Sequence, residues 1–440
     1  MTVSSQAIGF ARSGESVLLT AAGFALTIYL GTSPLFWLPN INVGIVGILK
    51  LSLAAVGVLS VYAHGILKST LRFPTGIVGP IGFILVVALS LPGLAQSDLG
   101  AALARIGDFV LSFGFLWCFY NYVRAGGDWR RIFRGALYII VALSAITLSN
   151  ALFGVPEWNA PLANGTASLS TTGFGFKRTG WSNGIAMFVP VAFLLISNDK
   201  TRLGRFGGFM RVFIVIALIL GAQIAAGGRS GIVAALMSLG VFALRSRLRF
   251  HFVIVFIVVA AAVYASSDYL IDQFRLGSIQ SSNVSVEDLD RLSSGRVVGY
   301  MVAVDLIAAK PFMGHGFEQI TLEQFGIGYQ EVHNMWLQLW VESGIGFAAG
   351  FALIVLAILR RAWDGRKYRR SQATKHAALA LGLVVASGLV VSMFEPRTLL
   401  GSFQNTAIWW AAAGVLLGNH VASRQQIRTV PASTESAVCS

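Results

Sequence analysis

One histidine stands where a membrane protein could transfer a proton at its surface. His333 directly precedes a long apolar run, so we expect it at the boundary between water and lipid. Histidine titrates near neutral pH and can take a proton from a hydroxyl group, although a lone boundary histidine is more often an interface residue. His315, in a glycine-flanked turn, is the second candidate base. Glu342 lies on the opposite helix face and roughly 13 Å deeper, so we expect a buried hydrogen-bonding residue there and not a partner of His333.

Three arginines on the same predicted side could bind an anion. Arg229 lies in a glycine-rich turn between two apolar runs, and Arg178 and Arg296 lie near predicted helix starts. A guanidinium binds a phosphate through two parallel hydrogen bonds, and a helix N-terminus adds amide donors. The alternative for Arg229 is that it caps helix-end carbonyl groups. The residue types predict a diphosphate site beside a base, but the sequence does not show that these side chains meet.

The sequence motifs do not support a metal-dependent or ATP-driven mechanism. Asp288 and Asp290 resemble the DxD pair of metal-dependent sugar transferases, but a solvated acidic helix start is the better interpretation. The sequence has no His, Cys and carboxylate cluster with metal-ligand spacing and no GxxxxGK[ST] loop. We therefore expect no metal and no cofactor, and an ATP-driven mechanism has no support.

The elements that must position these residues are membrane helices. Of the 440 residues, 55% are hydrophobic and 12% are charged, about half the charged fraction of a soluble domain. This composition excludes a disordered chain and a cytosolic enzyme, and the two cysteines, Cys118 and Cys439, exclude a disulfide-stabilised secreted domain. The apolar runs predict an all-α, polytopic membrane protein with about twelve transmembrane helices. The predicted spans are 16–38, 41–67, 74–93, 101–122, 135–153, 181–197, 211–227, 230–244, 251–267, 334–359, 377–393 and 403–419.

The distribution of basic residues predicts the orientation of these helices. The net charge is +14, and most of the 33 Lys and Arg residues fall on one side of the predicted spans. The positive-inside rule puts that side, with both termini, in the cytoplasm. Contact with anionic membrane lipids explains the basic cluster in residues 360–375, so no nucleic-acid partner is expected. The first run is longer than a signal-peptide core and is expected to be a retained anchor.

A long outer loop divides the chain. We expect transmembrane helices 1–9 in residues 1–267, the loop with amphipathic helices in residues 268–333, helices 10–12 in residues 334–419, and a cytoplasmic tail in residues 420–440.

Two helices are predicted inside this loop. Ser285 followed by Asp288 predicts a helix cap, and residues 295–310 have the spacing of an amphipathic helix that Pro311 ends. Such a helix is expected at the membrane surface.

The motifs resemble those of the O-antigen ligase and O-antigen (exopolysaccharide) polymerase superfamily of bacterial membrane glycosyltransferases. The resemblance covers the arrangement of about twelve spans with a large loop before the tenth. It is most specific in residues 294–346, where the family's order is followed by Gly295-Arg296, Pro311-Phe312-Met313-Gly314-His315-Gly316-Phe317, His333-Asn334 and Glu342-Ser343-Gly344-Ile345-Gly346. Two earlier segments also match, around Arg178 with Asn183 and at Arg229. There Ser182 and Gly228 stand where the family usually has proline and serine, respectively.

The resemblance implies a GT-C-like fold in the bacterial inner membrane and an inverting, metal-independent glycan transfer. His333 would act as general base on the acceptor hydroxyl, while Arg229 and Arg296, with Arg178, would hold the diphosphate leaving group. The outer loop would then be periplasmic. The donor would be a glycan linked to undecaprenyl diphosphate, and the acceptor a second glycan or lipid A-core.

Three functions are open at this point. A polymerase would join repeat units of O-antigen or exopolysaccharide, and a ligase would transfer finished glycan to lipid A-core with the same donor chemistry; we lean to the polymerase. A secondary transporter of a small anion is the alternative from another class, because Lys50, Arg105 and Asp108 lie within or beside predicted spans. The candidate polar residues gather on the outer face and the two halves show no repeat, which favours surface chemistry over transport.

Overall fold

The computed structural model shows helices packed side by side as a bundle. It describes residues 17–35, 43–153, 178–195, 202–226, 228–245, 296–326, 331–364, 372–396, 398–400 and 403–428. These residues form twelve α-helices and three short 3₁₀ helices, and no strand occurs among them. The α-helices are α1 (Val17–Thr32), α2 (Val43–Leu67), α3 (Pro80–Gln96), α4 (Leu99–Arg124), α5 (Trp129–Phe153), α6 (Arg178–Ala186), α7 (Arg202–Ala226), α8 (Arg229–Arg245), α9 (Arg296–Ala309), α10 (Met335–Asp364), α11 (Gln372–Ser392) and α12 (Phe403–Arg428).

Helices α4, α10 and α12 form the centre of the bundle. Because Gly414 has no side chain, α12 lies directly against the backbone of α4 beside Phe119, where an added Cβ would come within 2.9 Å of the Phe119 Cβ. The rings of Phe113 and Trp410 pack between these helices, with centroids 5.6 Å apart. Lipid gives helices little hydrophobic drive to associate, so such close packing of small residues and rings is what holds the centre together.

The remaining long helices surround this centre. Helix α1 packs against α2 and α5, α7 packs against α5, and α11 packs against both α8 and α12. Lys50 of α2 is buried, and its Nζ donates to the carbonyl oxygens of Ser33 (3.0 Å) and Leu35 (2.6 Å) just beyond the end of α1. This lysine therefore satisfies carbonyl groups at a helix end and ties α2 to α1.

The predicted spans and the helices agree at most positions. Five of the described helices are long and apolar enough to cross a membrane, and five shorter segments are apolar helices. The span expected at 181–197 is broken, because α6 ends at Ala186 and a 3₁₀ helix follows at Pro190–Leu195. The expected span 251–267 and the cap at Ser285 and Asp288 lie outside the described residues. The all-α membrane fold is confirmed, and the number of spans stays a prediction.

The helix expected at 295–310 is present as α9, and it is joined to an interruption in α10. Gly344 has φ +82° and ψ 173°, a conformation that side chains disfavour, and the helix breaks there. The turn after α9 fills the break: the amides of His315 and Gly316 donate to the carbonyls of Val341 (2.8 Å) and Glu342 (2.9 Å). The freed helix-end carbonyls thereby regain donors, which is required inside a bundle without water.

Candidate active site

The structure brings His333 and Arg296 together on one carboxylate. Arg296 is the first residue of α9, His333 lies just before α10, and Glu395 lies just after the end of α11. Arg296 Nη2 is 3.2 Å from Glu395 Oε1, and His333 Nδ1 is 3.7 Å from Glu395 Oε2. The three side chains are 22%, 26% and 13% exposed for Arg296, His333 and Glu395. The site is therefore partly shielded from water but open to a ligand.

This geometry can orient a base. With Nδ1 turned toward the carboxylate of Glu395, Nε2 of His333 is the ring nitrogen left to accept a proton. The same carboxylate can stabilise the imidazolium once the proton is taken, as the acid does in Ser-His-Asp triads. Partial burial strengthens each of these charge interactions relative to water. The three residues can thus combine proton abstraction with anion binding.

Local hydrogen bonds hold His333 at the start of α10. Asn334 Oδ1 accepts from the amides of Trp336 (3.0 Å) and Leu337 (3.2 Å), the usual arrangement of a helix cap. The hydroxyl of Tyr300, one turn along α9 from Arg296, donates to the carbonyl oxygen of His333 at 2.7 Å. Burial, with a smaller contribution from Glu395, raises the pKa of Tyr300, so its hydroxyl keeps its proton at neutral pH.

Glu342 lies in a separate buried cluster, as expected from the sequence. It is 2% exposed, and its Oε2 is 3.2 Å from Nη2 of Arg105, which is 3% exposed. Gln338 Nε2 donates to Glu342 Oε1 at 2.9 Å, and Asp108 lies 3.8 Å from Arg105 Nη1. The reserve base His315 has its Nε2 2.9 Å from the carbonyl oxygen of Leu306, which anchors the turn after α9.

Arg178 and Arg229 belong to a second corner of the bundle, formed by the starts of α6 and α8. Ser230 Oγ donates to Asn183 Oδ1 (2.7 Å), and Ser182 Oγ donates to the carbonyl oxygen of Gly228 (2.8 Å). Arg229 is half-buried as the first residue of α8. Arg178 is the first residue of α6, and its side chain lies outside the described part of the chain.

Helix α11 links the two corners. Val391, near its end, packs in one small cluster with Ala186 of α6 and Ala234 of α8. Glu395 follows only a few residues later along the chain. Both corners therefore lie at the end of the bundle where α8, α10 and α12 begin and α11 ends. Among the described residues, no group of three His, Cys, Asp or Glu side chains could hold a metal ion, and Asp288 and Asp290 lie outside them.

Sequence reasoning missed two residues of this site. Glu395 is separated by 62 positions from His333, and Tyr300 looks like an ordinary member of a helical run. The available signal for Glu395 was a carboxylate in the short connection between two apolar runs, on the side where His333 was expected.

Comparisons with known proteins match the part of the chain that holds most of these residues. The family model described as O-antigen ligase matches residues 212–347, which contain Arg229, Arg296 and His333. No curated protein matches the chain in sequence. A solved structure described as "Structural coordination of polymerization and crosslinking by a peptidoglycan synthase complex" has a TM-score of 0.46 and 15% identity, covering 78% of this chain and 98% of that chain. The family resemblance is confirmed over residues 212–347, where this multi-pass, all-helical membrane protein matches the family model described as O-antigen ligase.

Proposed function

We propose that the protein is a membrane glycosyltransferase that uses a glycan linked to undecaprenyl diphosphate as donor. The observation that carries this proposal is the placement of His333 and Arg296 on the single carboxylate of Glu395, at one end of the bundle. A base and an anion-binding cation within reach of each other are what transfer from a sugar diphosphate to a hydroxyl requires. The family match over residues 212–347 supports glycan transfer.

In this mechanism His333 Nε2 takes the proton of the acceptor hydroxyl as its oxygen attacks the anomeric carbon. The new carbon–oxygen bond forms on the face opposite the bond to the diphosphate, which breaks, so the configuration at that carbon inverts. The diphosphate leaves with the electron pair of the broken bond, and Arg296, Arg229 and Arg178 stabilise its growing negative charge. Glu395 stabilises the imidazolium of His333. The lipid diphosphate supplies the energy, so the mechanism needs no ATP, metal or cofactor.

The proposed arrangement in the cell follows from the basic residues. The protein would lie in the bacterial inner membrane with about twelve spans and both termini in the cytoplasm. Residues 1–267 would hold helices 1–9, residues 268–333 the periplasmic loop, residues 334–419 helices 10–12, and residues 420–440 a cytoplasmic tail. His333 would then face the periplasm in a GT-C-like fold.

Two acceptors fit this chemistry. A polymerase would extend O-antigen or exopolysaccharide repeat units, and a ligase would use lipid A-core. Neither the residues of the site nor the family match separates the two acceptors. Glycan profiles of cells lacking the protein separate the two. Loss of long polymer, with single repeat units left on a carrier, indicates a polymerase; long polymer stranded on its carrier lipid, with bare lipid A-core, indicates a ligase.

Anion transport, the alternative from another class, gains no specific support. Lys50 is bound to carbonyl groups at the end of α1, and Arg105 is paired with Glu342. An unchanged glycan profile would reopen this alternative and overturn the proposal.

The direct test is replacement of His333 by alanine in the purified protein in lipid. We expect transfer to fall by about 10²–10⁴-fold, the usual contribution of a general base, while donor binding and thermal stability persist. The matched control is His376→Gln, because His376 is a half-buried histidine near the opposite end of α11, beside Phe242. Near-normal turnover of His333→Ala would remove His333 as the base.

A further inference from the structure

A buried glutamine connects the interior of the bundle to the backbone beside His333. Gln338 lies one turn into α10 and is 4% exposed. Its Oε1 accepts from the amide of Val332 at 2.9 Å, and its Nε2 donates to Glu342 Oε1 at 2.9 Å. Both ends of the amide group are engaged, so its orientation is fixed. The bonded amide belongs to the residue directly before His333.

The anchor of this glutamine is an ion pair between two helices. Glu342 Oε2 is 3.2 Å from Nη2 of Arg105 on α4, and the guanidinium of Arg105 lies 4.8 Å from the ring centroid of Phe317. A buried ion pair holds its geometry because neither partner can move without leaving an unpaired charge in a low-dielectric interior. Arg105 thus fixes Glu342, which in turn fixes Gln338.

The backbone of His333 is held on its other side by α9. Tyr300 donates its hydroxyl hydrogen to the carbonyl oxygen of His333 at 2.7 Å. The amide of Val332 and the carbonyl group of His333 are therefore bonded to two side chains from two different helices. A small shift of this backbone segment would change the distance from the imidazole to Glu395, which is 3.7 Å.

The contact from Gln338 is not needed to start α10. Asn334 already caps the first turn by accepting from the amides of Trp336 and Leu337. The Gln338 contact instead reaches Val332, which lies outside the helix. It therefore positions the residues in front of α10.

We propose that Gln338 and Tyr300 are positioning residues that hold His333 against Glu395, with the Arg105–Glu342 ion pair as the fixed anchor of Gln338. The inference rests on the proposed function, because it assigns what keeps the proposed base in place. It also gives Arg105, which the sequence suggested for an anion path, a role in glycan transfer.

The test compares Gln338→Met with Ser343→Ala in the full-length protein in lipid. Methionine keeps the length of glutamine and removes both hydrogen bonds. Ser343 is an equally buried residue of α10, whose Oγ donates to the carbonyl of Ser90 (3.2 Å) and accepts from the amide of Gly93 (3.2 Å), away from His333. We expect Gln338→Met to lower kcat by about 10- to 100-fold, the scale of a small misplacement of a catalytic group, with little change in donor KM. An equal loss in Ser343→Ala would overturn the proposal, because helix packing alone would then explain both.

Tyr300→Phe tests the second contact with the removal of one hydroxyl group. We expect kcat of Tyr300→Phe to fall by about 10-fold, because loss of one hydroxyl group displaces the base less. In the double variant Tyr300→Phe with Gln338→Met, the fold-loss in kcat should be smaller than the product of the two single fold-losses, because both residues act on His333. Tyr62→Phe is the control, since it removes a tyrosine bond to the carbonyl of Gly114 between α2 and α4. Independent, multiplicative losses would contradict a shared target.

Hydrogen exchange at the amide of Val332 separates this inference from the proposed function. Gln338→Met should speed exchange at that amide in the absence of any substrate, while Ser343→Ala should not. Unchanged exchange would overturn the positioning contact even if the protein transfers glycan. Faster exchange in a protein that transfers no glycan would retain the contact and remove the proposed function.

Discussion

The two corners that carry the candidate cations are built in different ways. At the start of α9 and α10, Arg296 and His333 each face one oxygen of the carboxylate of Glu395. At the start of α6 and α8, the described contacts that fix the helices are neutral, namely the Ser230–Asn183 and Ser182–Gly228 hydrogen bonds. The first corner can therefore respond to proton transfer and to an incoming anion. The second corner is fixed by hydrogen bonds between neutral groups, next to Arg229.

From this difference we predict separate roles for Arg296 and Arg229. To stabilise the leaving group, Arg296 must release the carboxylate of Glu395 and bind the diphosphate instead. His333 is then the remaining partner of that carboxylate among the three residues. Arg229 lies at a helix N-terminus, where backbone amides and the helix dipole already favour an anion. We therefore expect Arg296 to couple donor binding to the base, and Arg229 to contribute mainly to donor affinity.

The largest difference between the corners should appear when each arginine is replaced by alanine. We expect Arg296→Ala to lower kcat by about 10²–10³-fold, as for loss of one transition-state donor. Arg229→Ala should mainly raise donor KM. Steady-state kinetics with a lipid-diphosphate donor measure both parameters.

Arg296→Lys and Arg229→Lys are the matched controls, because lysine retains the positive charge but cannot form two parallel hydrogen bonds to a phosphate. We expect partial activity from each. Equal effects of the two alanine variants on kcat and on donor KM would show that the two arginines contribute in the same way to donor binding and turnover.

Glu395→Gln breaks the charged corner without changing its size. We expect kcat to fall by about 10²-fold, because the imidazolium of His333 loses its stabilising carboxylate. Donor affinity should be unchanged or higher, because the diphosphate no longer competes with a carboxylate for Arg296. Donor binding and turnover are measured separately, with the exposed Glu323 changed to Gln as the control. If donor binding weakens in proportion to the loss of kcat, the diphosphate and the Glu395 carboxylate do not compete for Arg296.

Much of the fold was predictable because apolar runs report membrane helices locally. The helix at 295–310, the buried state of Glu342, and the location of His333 just before α10 all follow from patterns within a few turns of chain. The carboxylate of Glu395 could not be assigned in this way, because its partners Arg296 and His333 come from other helices.

The interruption of α10 was hidden for a related reason. Gly344 alone is compatible with a continuous helix, and the break depends on amides of the turn after α9 that lie about thirty positions earlier in the chain. The pairing of the α6 and α8 starts depends in the same way on contacts such as Ser182–Gly228, between residues 46 positions apart. Local periodicity reports which residues share a helix face, whereas these contacts depend on how helices pack.

The smallest effect should come from the neutral corner, where the two departures from the family pattern touch each other. An added Cβ at Gly228 would overlap the Cβ and Oγ of Ser182, so glycine at one position accommodates serine at the other. We expect Gly228→Ala to destabilise the protein by about 1–3 kcal/mol, the usual cost of overpacking, with a moderate rise in donor KM because Arg229 is the next residue. Adding Ser182→Gly should recover part of the lost stability, since it removes the overlapping atoms. Thermal unfolding in lipid, read beside donor KM, checks both variants. A double variant less stable than Gly228→Ala alone would mean that the Ser182–Gly228 hydrogen bond, and not the fit of the two residues, holds this corner together.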